Sequence, residues 1–235
     1  MNSVNAKHAQ PTSIFSRCMQ FYMTVTLQHN DLRIELSDDS AFNQTADNPI
    51  SFDKVIQADK DIQYSPTSQL AIKIFKDNIF IKSAIILATG GGTGVHSDTA
   101  LIDDDSLIIR CCNKLFSLSL PNLETNWVTE PDWATCFSIH KYRDTYISHG
   151  ETSIARIDKS GKILWSYGGA DIFVCLYEGN PFEMHDTYIA LTDFNGSTYK
   201  IDYDGNSLDY QKSDYHKQEP ITVLMKPQKQ WWKFW

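Results

Sequence analysis

Apolar and polar residues alternate along this chain in short runs broken by turn-forming residues, and the clearest runs recur with a period near 40. Three stretches can be written under one another: Leu107-Ile108-Ile109 through Phe116-Ser117-Leu118 to Trp127; Tyr146-Ile147-Ser148 through Ile154-Ala155-Arg156-Ile157-Asp158 to Trp165; and Tyr188-Ile189-Ala190 through Tyr199-Lys200-Ile201-Asp202 to Tyr210. Each reads as a strand, a tight polar turn, an alternating strand, a second turn and a strand ending in an aromatic. An all-strand repeat of this length predicts propeller-type sheets, because one such sheet cannot bury its apolar face without a neighbour. The expectation is an all-β fold, a propeller-like array of about four to five antiparallel sheets, small or incomplete.

Ahead of the repeat, Val25, Leu27, Leu32, Ile34 and Leu36 alternate around an Asn30-Asp31 turn, a hairpin pattern. Leu70 to Phe75 and Ile79 to Leu87 form a second hairpin across Lys76-Asp77-Asn78. Residues 37–69 are loop-rich, and within them Ile50, Phe52, Val55 and Ile56 form a short strand or a buried loop. No window carries convincing helical periodicity outside a turn near 170–176. The expected division is a polar leader or upstream extension over 1–22, the repeat domain over 23–215, and a Lys/Trp-rich tail over 216–235. That tail ends Trp231-Trp232-Lys233-Phe234-Trp235, either a sticky disordered end or an apolar strap docked on the domain.

Composition narrows the function classes. The chain has 235 residues and a net charge of −8. Its last 25 residues carry five lysines against two acids, which leaves −11 on the rest. An acidic body lacks the basic face that phosphate contacts require, so no nucleic-acid partner is expected. A basic protein partner suits it. No apolar run approaches the roughly 20 residues of a membrane helix. With no signal-peptide pattern, the five cysteines read as reduced thiols of a cytoplasmic protein.

The segment Ile157-Asp158-Lys159-Ser160-Gly161-Lys162-Ile163-Leu164-Trp165 resembles the outer hairpin of quinoprotein-type (PQQ-like) β-propeller repeats, where an aspartate ends a strand, a glycine turn follows and the next strand closes on Trp. Ile201 to Asn206 matches more loosely, and Ser119 to Trp127 is similar with the glycine replaced. The family's cofactor and calcium ligands find no matching positions, so no cofactor is expected. Cys111-Cys112 resembles the vicinal disulfide of some quinoprotein dehydrogenases. Neighbours in a strand point to opposite faces, however, and the residues read as two packed thiols. The run from Pro49-Ile50-Ser51-Phe52 through Tyr64-Ser65-Pro66-Thr67-Ser68 to Ala170-Asp171-Ile172-Phe173 and Thr192-Asp193-Phe194 is similar to small bacterial proteins of polymorphic toxin loci. That resemblance implies an immunity protein that covers a toxin's active site.

Chemical motifs are incomplete. The glycine run 90–94 lacks the following helix and Lys-Ser/Thr pair of a phosphate loop. Asp103-Asp104-Asp105 and Asp202 to Asn206 lack the 12-residue loop and terminal Glu of an EF-hand. No histidine or cysteine spacing fits a metal, and neither Ser97 nor Ser138 occupies a nucleophile elbow. No catalytic or metal residues are therefore assigned. The expected function is non-enzymatic protein binding, through Asp103, Asp104, Asp105, Trp133, Glu151 and Asp171, to a basic cognate toxin domain. The alternatives are a ligand- or cofactor-binding propeller using His96, His149 and Glu151 beside the glycine run, and a scaffold that self-assembles to complete its ring.

Overall fold

A computed structural model describes residues 24–40, 42, 51–58, 65–92, 94–175 and 179–213. The leader over 1–22 and the tail over 216–235 lie outside the described residues, as does Ile50. Alternating runs become strands throughout, arranged in four sheets. The first holds β1 (Val25–His29), β2 (Leu32–Asp38), β3 (Lys54–Gln57), β4 (Ser68–Lys76) and β5 (Ile79–Ala88), in the order β1-β2-β4-β5-β3. A 3-10 turn, Ser97–Thr99, leads into the second, β6 (Ala100–Asp103), β7 (Ser106–Cys111), β8 (Lys114–Ser119) and β9 (Thr125–Thr129). The third is β10 (Cys136–Tyr142), β11 (Thr145–Gly150), β12 (Ser153–Asp158) and β13 (Ile163–Gly168). The fourth is β14 (Phe182–Met184), β15 (Ile189–Thr192), β16 (Thr198–Ile201) and β17 (Ser207–Gln211). The last three sheets are consecutive antiparallel meanders.

The period-40 segments are the last three strands of each of these meanders. A first strand, β6, β10 or β14, precedes each and completes a four-stranded sheet. The predicted hairpins form: Asn30 (φ 54°), Asp77 (φ 49°) and Asn78 (φ 63°) supply the left-handed backbone that two-residue turns need. The expected array of antiparallel sheets forms, with one local exception: β3 pairs parallel to β5 from Lys54↔Ala84 to Gln57↔Leu87. The chain reaches that edge through a long crossover rather than a hairpin, which permits parallel pairing.

Sheets two and three are apolar on both faces and so must be internal. Leu107, Ile109, Phe116 and Leu118 pack on Ile34, Ile72, Ile74 and Ile86 of the first sheet. From the opposite face of sheet two, Ile108 and Leu115 meet Tyr146, Ala155 and Ile157 of sheet three. Its other face supplies Ile147 and Ile154 against Ile189, Leu191, Tyr199 and Ile201 of sheet four. The two ends of the stack are finished differently. Phe42 and Phe52 cover Val55, Ala71, Ile85 and Leu87 on the outside of sheet one. The outside of sheet four carries the cross-strand rows Ala190, Lys200, Asp209 and Thr192, Thr198, Gln211, a polar face. Among the described residues no core cluster joins sheet one to sheet four.

Neighbouring sheets are also locked at the rim. Trp127 of β9 lies on the β12–β13 turn: its indole Nε1 donates to the Lys159 carbonyl at 2.9 Å. A Cβ on Gly161 would stand 2.6 Å from the ring, so only glycine permits the contact. Trp165 of β13 repeats this on the β16–β17 turn, donating to the Tyr203 carbonyl at 3.0 Å, where a Cβ on Gly205 would fall 2.8 Å away. Each receiving turn is built by its aspartate. Asp158 accepts from the Ser160 and Lys162 amides at 2.9 and 3.0 Å, and Asp202 from those of Asp204 and Asn206 at 2.9 and 2.8 Å. Trp127 and Trp165 are thus half-buried rim residues wedged between sheets.

Pairing registers also correct the alignment of Tyr210. Ser117↔Trp127, Arg156↔Trp165 and Lys200↔Asp209 occupy equivalent places, so Asp209 stands where a docking Trp would stand. Tyr210 points inward to Tyr199, with ring centroids 5.0 Å apart. Replacing Trp127 by Ala, or Gly161 by Val, is expected to lower stability by about 2 kcal/mol or more each. Because both remove the same contact, the double variant should fall well short of additive, whereas Asp209→Ala should be nearly neutral. Urea unfolding monitored by circular dichroism checks all four.

Candidate functional site

Strand alternation divides the connections into two groups. The turns β6–β7, β8–β9, β10–β11, β12–β13, β14–β15 and β16–β17 lie at one end of the sheets. The turns β7–β8, β11–β12 and β15–β16, with the crossings β9–β10 and β13–β14, lie at the other. The six predicted contact residues are therefore split: Asp103, Asp104 and Asp105 sit at the first end, and Trp133, Glu151 and Asp171 at the second.

At the first end a cavity of about 180 Å³ opens between sheets two and three, lined by Asp103, Asp104, Ser106, Ser117, Asn126, Trp127, Tyr146 and Lys159. Asp103 is only 4% exposed. Its carboxylate accepts from Lys141 Nζ and, at 2.8 Å, from the Tyr146 hydroxyl, with Lys159 Nζ 3.4 Å away. Burial alone would raise its pKa, but the bonds from Lys141 and Tyr146 outweigh burial and hold it below the usual carboxylate range. Burial and the same carboxylate push the Tyr146 phenol well up. Asp103 thus stays ionised and Tyr146 neutral near neutral pH, an internal ion cluster joining sheets two and three. Asp104 is exposed and pairs with Lys159 at 2.9 Å, while Asp105 approaches His29 Nε2 at 3.1 Å.

At the second end the crossing 130–135 is fixed by a residue that sequence reasoning passed over, Asp132. One carboxylate oxygen accepts from the Ala134 and Thr135 amides at 2.7 and 3.1 Å. The other takes the amides of Thr152 and Ser153, both at 2.8 Å, and their hydroxyls at 2.9 and 3.0 Å. Gly150 is required beneath it, since a Cβ there would lie 2.3 Å from the carboxylate. Further bonds pin the same crossing: Gly91 N–H donates to the Ala134 carbonyl at 2.9 Å, Glu151 N–H to Thr135 at 2.8 Å and Ser153 Oγ to Pro131 at 2.9 Å. From this fixed crossing Trp133 stands 77% exposed. Asp171 does similar work in the next crossing, accepting from the Ile172 amide at 2.8 Å and from the Asn195 side chain. Glu151 is half-buried, and its carbonyl takes the Phe173 amide at 2.7 Å. Phe194, bonded through its amide to Ile172, adds a second exposed aromatic at this end.

The glycine run serves backbone approach, as a connection rather than an anion cradle. A Cβ on Gly91 would fall 1.5 Å from Thr135 Oγ1, and only the three-residue 3-10 turn follows. His96 caps that turn, its Nδ1 accepting from the Asp98 amide at 3.2 Å. His149 is buried, its Nε2 3.3 Å from the Phe173 carbonyl, and it stacks on Phe182 at 4.9 Å. His140 stacks on the same Phe182 at 5.1 Å. The structure also pairs Ser138 Oγ with His140 Nε2 at 2.7 Å, two residues on one face of β10. Among the described residues no carboxylate bonds the His140 ring to complete a triad. No group of three or more His, Cys, Asp or Glu side chains among them could hold a metal ion. No helix among them is long and apolar enough to cross a membrane.

No family model matches the chain, and no curated protein matches it. Solved structures similar to it include the AfRom2 CNH domain, at 11% identity and TM-score 0.45 over 80% of this chain and 54% of that one. BamB from Moraxella catarrhalis follows at 11% and 0.41, over 80% and 63%, and the computationally designed Ika8 protein at 9% and 0.45, over 75% and 44%. The chain thus spans between 44% and 63% of the length of these structures. At such scores the likenesses carry no functional argument.

Asp132→Ala should destabilise the protein by about 3 kcal/mol, because it strands buried amides that now share one carboxylate. Thermal melting reads this directly, and Asp171→Ala, which loses fewer bonds, should cost less. A second expectation concerns pH. Burial depresses the His149 pKa from 6.5 to about 4. Above pH 6.5 the ring is neutral in both folded and unfolded chains. Between pH 6.5 and 4 the unfolded chain takes up a proton that the folded one refuses. Stability should therefore fall by about 3 kcal/mol across that window and level off below it. Chemical denaturation at stepped pH, with His149→Phe flattening the profile, checks this.

Proposed function

We propose that the protein is a non-enzymatic binding module that grips another protein through the second end of its stack. The observation that carries this reading is Trp133, a large apolar ring held in solvent at the tip of a crossing that Asp132 ties down. Buried aromatic anchors dominate protein interfaces, and an anchor whose backbone is already ordered loses little entropy on binding. Glu151, Asp171 and the exposed Phe194 supply acidic and apolar surroundings on the same end. The acidic charge of the chain favours a basic partner, which it would steer at low salt. Asp103 is spent on internal bonds, and Asp104 and Asp105 lie at the opposite end, so this interface does not use them.

The narrower reading is neutralisation of a cognate toxin domain in the cytoplasm. It rests on the acidic charge, on the residue resemblance to proteins of toxin loci, and on cysteines that form no disulfide among the described residues. A ligand-binding or catalytic role is less well supported. His149 is buried in stacking, His96 is a cap, and among the described residues no carboxylate bonds the Ser138–His140 pair.

The test is binding to the product of the adjacent gene, measured by calorimetry at low and moderate salt. The expected outcome is a complex weakened by salt, with Trp133→Ala costing about 2 kcal/mol, roughly 30-fold in Kd, at an unchanged melting temperature. Equal affinity of Trp133→Ala and wild type would remove this interface. A complex that leaves the partner's toxicity intact would remove the toxin reading alone.

A further inference from the structure

β17 delivers the chain to the second end of the stack. Gln211 closes its ladder opposite Thr198, and the Ser213 amide then donates to Ser197 Oγ at 3.2 Å, in the β15–β16 turn. That turn is fixed, since the Asp193 carboxylate accepts from the Ser197 amide at 2.8 Å, and it carries the exposed ring of Phe194. The chain beyond Ser213 therefore starts beside Phe194, on the end from which Trp133 projects. In sheets two to four, the turns and crossings of this end carry Glu130, Asp132, Glu151, Asp171 and Asp193 and, among the described residues, neither lysine nor arginine. Lys114, at the start of β8, pairs with Glu130 at 3.2 Å. The surface is thus acidic, with two aromatic rings standing on it.

The sequence past Ser213 has the complementary character. Residues 220–235 carry Lys226, Lys229 and Lys233 and no acid, with Trp231, Trp232 and Trp235 set among them. The 18 positions from Ser213 to Trp231 can span about 60 Å when extended. Packed sheets lie about 10 Å apart, so the crossing between sheets two and three is within reach. A segment joined to the chain meets that surface at an effective concentration on the order of millimolar. Lysines gain there from the acidic surroundings and from the faces of the exposed rings. We propose that residues 220–235 fold back onto the second end of their own chain, set their tryptophans against Trp133 and Phe194, and compete with the partner for that surface. The first end is a poorer seat, because Asp103 and Asp104 are already paired with Lys141 and Lys159. The contact itself needs no partner; only the competition rests on the binding role proposed above.

Fluorine NMR on the full chain labelled with 5-fluorotryptophan tests the contact. The six tryptophans give separate resonances, and Trp133→Phe identifies that of Trp133. This resonance should shift when Trp231, Trp232 and Trp235 are replaced together by Ala. It should shift again when Lys226, Lys229 and Lys233 are replaced together by Glu, with circular dichroism melts confirming that both variants are folded. A Trp133 resonance indifferent to both replacements would overturn the docking. A position that changes with protein concentration would also overturn it, by giving the surface to the segment of a second copy. Calorimetry with the partner reads the competition: the triple-alanine variant should bind about fivefold more tightly than wild type. Equal affinity would overturn the competition. If no partner binds, the binding role falls, and the Trp133 resonance still decides the docking.

Discussion

Everything in this structure depends on the fact that sheets two and three are apolar on both faces. A four-stranded antiparallel sheet with one apolar face can leave its other face in water; one with two cannot. Ile108 and Leu115 on one side of sheet two, with Leu107, Ile109, Phe116 and Leu118 on the other, demand a neighbour on each side. Sheet three makes the same demand through Tyr146 and Ile157 against Ile147 and Ile154. Stacking is therefore imposed before any loop is considered, and among the described residues the two outer sheets each end the requirement.

How the stack ends is as informative as how it is held. An array of repeats stays soluble only if its terminal faces are polar or covered. Sheet one is covered by Phe42 and Phe52. Sheet four turns Lys200, Asp209 and Gln211 outward, and it carries aspartate where sheets two and three carry the docking tryptophan. The rim lock and the face polarity change together at the same sheet. Such agreement between local and global features is what a consistently encoded terminus should display. Among the described residues the first and last faces of the four-sheet stack are thus finished by different means.

Much of this was legible because the signals are local. Asp158, Gly161 and Trp165 lie within eight residues, and turn chemistry plus a strand-ending aromatic identify the hairpin without tertiary knowledge. The first strands β6, β10 and β14 were not legible: β6 and β14 are four and three residues long, too short to establish a period. Tyr210 was placed on the docking position by aligning aromatics, a one-residue slip, and with a side-chain period of two such a slip exchanges faces. Asp132 was half legible. Its bonds to Ala134 and Thr135 are an Asx-type turn within four residues, but its bonds to Thr152 and Ser153 cross 20 positions. Asp103 looked like a surface acid in an acidic run, and only the approach of Lys141 and Tyr146 from sheet three makes it an internal charge.

The two ends of the stack differ in what their polar groups are free to do. At the first end the charges are satisfied in pairs, Asp103 with Lys141, Asp104 with Lys159, and Arg156 with Asp204 at 3.1 Å. Compensated charges cement sheets two, three and four, and a ligand entering there would have to break protein–protein bonds to form its own. At the second end the carboxylates of Asp132 and Asp171 spend their oxygens on backbone and amide donors, so they order the crossings without offering bonds outward. What stands exposed at that end includes the rings of Trp133 and Phe194. Hydrogen bonds that fix a backbone while leaving a tryptophan in water raise the cost of the unbound surface and lower the cost of burying it. That asymmetry favours recognition by the second end over chemistry at the first.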